Sequence, residues 1–330
     1  MMEKEYKYTV ATRCMTYNHA LYIEDALHGF IRQETTFPTL FMVVDDGSSD
    51  GEQDILRNWV ETNLTAAERG QLWRKMPYGE LAEGKLNNKP NISFVILLLS
   101  ENHYKQNKPK LPYLKDWLDA SKYHALCEGD DWWIDERKLQ KQVEALEKNQ
   151  NVDMCACGTI CYKEGKEVMR MCPSNITRIL TVEETICGGG SFLGTNSLLY
   201  REKMFEDNYI FCNYLILDYM YQIRGSLRGG ILYLKDEMSA YRVSSNGSWV
   251  KGMKSNPKRY FDHREKVITA LNILDFETNG LYNNQIEQAK APIYINQILS
   301  GLEGGVYSKV NLKQRMKILL LSVKNLIKKK

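Results

Sequence analysis

The chain has 330 residues, 43% hydrophobic and 26% charged, which is enough for a sizeable buried core. Its net charge of +3 is too small to make nucleic acid the main partner. The eight cysteines lack the paired spacing of a zinc site, so Cys155, Cys157 and Cys161 read as buried free thiols of a reducing compartment.

The N-terminal stretch is charged and has no apolar h-region, which argues against a signal peptide and for a cytoplasmic protein. Residues 7–13 (KYTVATR) read as a strand. In 20–33, Ile23, Ala26, Leu27, Phe30 and Ile31 share one face at helical spacing. Leu40–Val44 is a continuous apolar run, as expected of a strand covered on both faces of a parallel sheet. It ends in the turn Asp45-Asp46-Gly47, after which Ser48, Ser49 or Asp50 can cap a helix bearing Ile55, Leu56, Trp59 and Val60.

Residues 62–91 are polar and poorly periodic, and read as an insertion with short helices. A third buried strand follows at 92–99, a short helix at 112–122 and a fourth strand at 123–129. Asp135 is placed to cap a helix carrying Leu139, Val143 and Leu146. The order β-α-β-α-β-α-β-α predicts an α/β fold: a Rossmann-like, mostly parallel sheet with helices on both faces.

Beyond residue 150 the pattern loosens. Strands are expected at 152–162, 166–171, 197–201 and 230–234. Residues 181–187 read as a helix with a Thr181/Glu184 capping box. Residues 187–196 read as a flexible glycine-rich loop, and 258–300 and 311–328 as helices. The organisation expected is one domain over 1–250, divided near residue 150 into a nucleotide half and an acceptor half. A helical C-terminal extension occupies 251–330.

Asp45, Asp46, Glu128, Asp130 and Asp131 all fall at carboxyl ends of predicted strands, where open sheets of this type bind ligands. Two acidic clusters at one sheet edge repel each other, and a divalent cation relieves that repulsion. An all-oxygen ligand set suits Mn²⁺ or Mg²⁺, which commonly bridge carboxylates to substrate phosphates. A nucleotide-linked substrate follows.

The segments TYNHALYIEDALHGFIRQ, VVDDGSSDG and ALCEGDDWWIDERKLQKQ stand in the order and spacing of the family 2 glycosyltransferases, which the chain resembles over residues 6–150 and more loosely over 190–250. The resemblance implies the GT-A fold and an inverting transfer from a nucleotide sugar. UDP-sugars are favoured, and the acceptor expected is a glycan or lipid-linked glycan of bacterial surface polysaccharide.

It also implies roles. Tyr17 lies beside the base, and one of Asp45 and Asp46 bonds it. Asp130 faces ribose or sugar, Asp131 holds the metal, and Glu128 stands where the family often has its first metal-binding Asp. Trp132 and Trp133 wall the sugar pocket. Asp218 matches the catalytic base, with Glu206 and Asp207 as rivals. Tyr241 and Arg242 match an aromatic–basic pair, Arg242 offsetting the diphosphate. His19, Lys105, Lys108 and Lys110 read mainly as solvated charges near the same edge.

In the tail, Leu312, Met316, Leu319, Leu320, Val323 and Ile327 face one side, and Lys313, Lys317, Lys324 and Lys328 the other. Such a basic amphipathic helix either lies on the inner face of an anionic membrane or docks on its own domain. Two other readings remain open. One is a sugar-nucleotide pyrophosphorylase, although CMTYNHA lacks its Gly-rich phosphate loop. The other is a non-catalytic nucleotide-sugar-binding or scaffolding protein, kept open by Glu128 and by Leu217, which replaces a frequent second acid.

Overall fold

A computed structural model describes residues 4–66, 71–243, 245 and 256–299. The expected helix at 311–328, and with it the membrane reading, lies outside the described residues. Among those described, no helix is long and apolar enough to cross a membrane.

The first half follows the expected alternation. Strand β1 (Tyr8–Thr16) leads to α1 (Ile23–Ile31), β2 (Thr39–Asp45) and α2 (Glu52–Asn63). Every residue of β2 is buried, because helices and neighbouring strands cover both of its faces. In α1, Ile23, Ala26, Leu27 and Phe30 are buried, as the 3.6-residue periodicity requires.

The insertion does not form short helices. It forms antiparallel strands: β3 (Leu64–Ala66), β4 (Trp73–Met76) and β5 (Gly79–Leu86). β5 pairs along almost the whole of β6 (Lys89–Leu99), from Gly79 opposite Leu99 to Leu86 opposite Lys89. Weak local periodicity hid these strands, and a long partner strand stabilises them through cross-strand pairing.

A 3₁₀ turn at Leu111–Leu114 runs into the short α3 (Lys115–Asp119), and β7 (Ser121–Leu126) follows. Next come β8 (Trp132–Trp133) and α4 (Lys138–Lys148). Asp135 does not cap α4, whose N-cap is Arg137. Its Oδ1 instead accepts from Arg137 N at 2.7 Å, which fixes the turn into the helix.

The second half contributes β9 (Met154–Lys163), β10 (Lys166–Met171), β11 (Arg178–Leu180), α5 (Val182–Gly188) and β12 (Leu199–Arg201). The capping box at Thr181 and Glu184 is formed. Helices α6 (Ile210–Tyr214) and α7 (Asp218–Ser226) precede the long β13 (Ile231–Arg242). The chain described ends with α8 (Pro257–Glu277) and α9 (Asn283–Leu299).

All strands described join one sheet, whose main path runs β11-β13-β9-β12-β7-β1-β2-β6-β5-β3, with β10 paired to β9, β4 to β5 and β8 to β13 beside it. Its centre, β7-β1-β2-β6, is parallel, with Thr16 opposite Asp45 and Asp45 opposite Leu98. These strands therefore end at one edge. Helices cover the centre, and Phe30, Phe41, Phe94, Trp133 and Leu139 belong to one apolar core beneath that edge. A second core joins α5–α7 to the last two helices, through Ile186, Met220 and Ile223 against Ile268, Leu271 and Ile286.

Candidate active site

The two acidic turns leave the ends of β2 and β7, the strands on either side of β1. At the first, Asp45 Oδ1 accepts from Gly47 N (3.1 Å), Ser48 N (3.0 Å) and Gln53 Nε2 (2.6 Å), closing an Asx turn. Gly47 has φ +71°, and a Cβ there would lie 2.5 Å from the carbonyl carbon of Glu101, so only glycine fits. Burial raises the Asp45 pKa. Its Oδ2 is buried without a partner.

Asp46 is buried and bound differently. His103 N donates to Oδ1 at 2.8 Å, and Tyr104 N and Lys110 Nζ donate to Oδ2 at 3.1 and 2.7 Å. Asp46 thus fastens the 102–110 loop over the sheet edge. Lys110 is no solvated charge, because this buried carboxylate holds it. In the same loop Lys105 Nζ donates to Tyr17 Oη at 3.1 Å, which places Tyr17 under that cover.

The predicted caps of α2 act between loops. The N-cap is Gly51, with no side-chain bond. Asp50 accepts from Glu52 N and Ala20 N, and Ser48 Oγ donates to Glu52 Oε2. Buried Glu52 also accepts from Thr16 Oγ1 and His19 N. Burial pushes its carboxyl up to about 7.

The second acidic turn continues β7. Cys127 N and Gly129 N donate to Arg13 O and Met15 O, both at 3.0 Å. A Cβ on Gly129 would lie 2.2 Å from Thr16 Oγ1, so the close approach of this turn to β1 requires glycine. Asp130 and Asp131 are buried, and Glu128 keeps part of its surface toward the cleft.

Asp131 Oδ1 accepts from Arg242 N at 2.9 Å. Asp130 accepts from Ser245 Oγ and faces His19 Nε2 at 3.8 Å. His19 is therefore buried beside a carboxylate and not solvated; burial lowers its pKa. Burial, then the charges of Asp218 and Asp130, push Glu128 up to about 8. Burial, then Asp130, raise Asp131 well above the carboxylate range.

Arg242 Nη1 donates to Asp130 O at 2.6 Å, and Nη2 pairs with Asp25. The guanidinium lies between Trp132 and Tyr22, 4.3 and 4.7 Å from the ring centroids. Trp132 also faces Tyr162 at 5.3 Å. Trp133 is core rather than pocket wall: Phe30 lies 5.2 Å from it edge-on, and its Nε1 donates to Asn196 O at 2.8 Å. Pairing with β13 sends alternate side chains to opposite faces, which separates the two tryptophans.

Asp218 opens α7. Thr195 Oγ1 donates to its Oδ2 at 2.6 Å. The carboxylate is open to the cleft, but the surrounding protein raises its pKa by limiting its hydration. It lies close enough to Glu128 for their charges to act on each other. Glu128, Asp130, Asp131 and Asp218 thus lie near enough for charge to pass among them, Asp218 and Asp130 acting on Glu128, Asp130 and Glu128 on Asp131, and Asp131, Asp130 and Asp218 on Tyr241. The rival Asp207 lies outside this group, and its side chain is 82% exposed; Glu206 is exposed as well.

Among the described residues no group of three His, Cys, Asp or Glu side chains is placed to hold a metal ion. The two carboxylates that would be left to hold a hard cation are Glu128 and Asp131, and such a cation commonly completes its set with phosphate and water oxygens.

The sequence reading missed several neighbours of the site, among them Arg13, Glu52, Thr195 and Ser245. Arg13 alone left a signal, a lone charge inside the apolar strand YTVATRCMT.

No protein-family model matches the chain. The uncharacterized proteins Rv1520 of Mycobacterium tuberculosis and Mb1547 of Mycobacterium bovis are each 29% identical to it over 238 residues. The match spans 71% of this chain and 59% of theirs, so the chain spans less than two thirds of these relatives. Among solved structures, Staphylococcus aureus TarS (residues 1–349) in complex with UDP superimposes with a TM-score of 0.56. Identity is 16%, covering 93% of this chain and 77% of that one. The same enzyme with UDP-GlcNAc gives 0.55 at 15% identity, over 95% and 79%. The chain has the GT-A glycosyltransferase fold. In that fold, the carboxylate edge described above is the carboxyl end of the central parallel strands.

Proposed function

We propose that the protein is an inverting, metal-assisted glycosyltransferase that moves a sugar, of hexose type, from a nucleotide-sugar donor to a hydroxyl of a glycan or lipid-linked glycan in surface-polysaccharide synthesis. The observation that carries this reading is the proximity of Glu128, Asp130, Asp131 and Asp218 to one another on a GT-A fold. UDP is the favoured nucleotide, in line with the UDP and UDP-GlcNAc complexes of TarS.

In this reading the nucleotide lies under the 102–110 loop, beside Tyr17 and the Asp45–Asp46 turn. Asp130 orients ribose or sugar. Glu128 and Asp131 hold Mn²⁺ or Mg²⁺, which when bound offsets charge on the leaving diphosphate. Arg242 adds fixed positive charge at the same edge, and Trp132 borders the pocket.

Asp218 accepts the proton of the attacking hydroxyl. Thr195 donates to Oδ2, which leaves Oδ1 to the substrate. The oxygen so activated attacks the anomeric carbon opposite the leaving group. A bond to the acceptor forms as the bond to the diphosphate breaks, and one displacement inverts the configuration.

Calorimetric titration with UDP-, GDP-, dTDP- and CMP-sugars, with Mn²⁺ and then with EDTA, tests the reading. The result expected is metal-dependent binding of one nucleotide class that Asp131→Ala abolishes. Failure of every donor to bind overturns it.

A further inference from the structure

We propose that Arg259, in the first turn of α8, is a positioning residue that clasps Tyr104 and so holds the 102–110 loop down over the donor nucleotide. The C-terminal helices thereby become part of the donor site. The proposal rests on the reading of this loop as the cover of the nucleotide.

The loop is tied in two ways. At its base, Asp46 accepts from His103 N and Tyr104 N through its side chain, and from Asn102 Nδ2 through its carbonyl at 2.9 Å. These bonds fix the start of the loop against the end of β2. They do not fix its outer side, where residues 104–109 are all exposed. Tyr104 keeps 54% of its surface, so burial does not decide where its ring lies. Lys110 Nζ stands 5.8 Å from the ring centroid. The directed contact is Arg259, whose Nη2 donates to Tyr104 Oη at 2.9 Å across 155 positions of sequence. The next residue, Lys105, is the one that donates to Tyr17 Oη. The clasp therefore acts one residue away from the loop's hold on Tyr17.

Arg259 is itself well anchored. Asn256 Oδ1 accepts from Arg259 N at 3.1 Å and caps α8. Further along, Ile268, Leu271 and Leu274 of α8 share the second core with Met220 and Ile223 of α7. At the end of α8, Glu277 accepts from Ile210 N and Phe211 N at 2.6 and 3.1 Å. The helix is thus fixed independently of the loop, and it presents Tyr104 with a stationary partner. It also shares a core with α7, the helix that Asp218 opens. One element reaches from the cover of the donor to the core that seats the candidate base.

An exposed, breakable clasp suits a cover that opens once in each turnover, to admit the nucleotide sugar and to release the nucleoside diphosphate. Tyr104→Phe removes only the hydroxyl, and Arg259→Met only the donors. Both side chains are exposed, so neither substitution opens a cavity.

The test is made on the full chain with two readouts. Amide exchange over 102–110 is followed in the nucleotide-free protein. Release of bound UDP, or of GDP, dTDP or CMP where one of those binds instead, is followed by stopped flow. Each single variant should speed both by about three- to tenfold, the worth of one partly solvated hydrogen bond. The double variant should be no faster than either single one, because the two changes break the same bond. Arg259→Lys, which keeps a donor on a less directed side chain, should fall between the unmodified protein and Arg259→Met. Unmoved release in either single variant overturns the proposal, as do effects that add in the double variant. Failure of all four nucleotides to bind the unmodified protein overturns the transferase reading and the proposal together. Binding with unmoved release removes the clasp alone.

Discussion

Replacing Glu128 by glutamine makes the metal-free protein more stable at alkaline pH and leaves it unchanged in mild acid. The carboxyl is pushed from 4.5 to about 8 by burial and by its acidic neighbours. Between those values the folded protein holds a proton that the unfolded chain releases. Stability therefore falls as pH rises through the window, and the full loss is present above about pH 8. One pKa unit corresponds to ~1.4 kcal/mol, so the whole shift sets a ceiling of ~5 kcal/mol. Glu128 keeps some surface toward the cleft, and water there reduces the effect to ~2–3 kcal/mol. Glutamine matches the shape of the protonated acid and has no proton to lose. Urea unfolding in EDTA should give the two proteins similar midpoints at about pH 5, and the variant the higher midpoint at about pH 9. Asp131, Asp218 and Glu52 also contribute to the wild-type slope, so the informative quantity is the difference between the two curves. Curves that stay parallel across the range would refute the reasoning.

Asp218→Asn should lower transfer by ~10²–10⁴-fold with donor binding retained, measured as product formation beside calorimetry; full activity would remove Asp218 as the base. Asp46→Ala unpairs half-buried Lys110 and frees two loop amides, and should cost ~2–3 kcal/mol with faster hydrogen exchange over 102–110. Trp133→Ala empties the space against Phe30 and Phe41 and leaves Asn196 O unpaired, at ~3–5 kcal/mol by denaturant unfolding. Mn²⁺ affinity should rise between about pH 6 and pH 8 as Glu128 gives up its proton, which calorimetry in buffers of different ionisation enthalpy detects as proton release.

What could be read in the sequence were features dictated locally. The apolar run of β2 and the stripe of α1 follow from periodicity, and the acidic turns announce themselves at strand ends. Thr181 and Glu184 also carry their own capping geometry. The residues missed depend on contacts distant in sequence. Thr195 meets Asp218 across 23 residues, and Asp46 meets Lys110 across 64. Nothing in a polar insertion shows that β6 is long enough to pair β5. The tryptophan pair failed for a related reason: adjacent residues part company only once the strand pairing is known.

The bond from Arg242 N to Asp131 ties residues 111 positions apart, and β8 crosses to β13 directly beside it. A chain severed near residue 150 would keep every acid of the first two turns yet lose the amide that orients one of them. Recombination that joins a foreign second half to this first half must therefore supply a matching final strand.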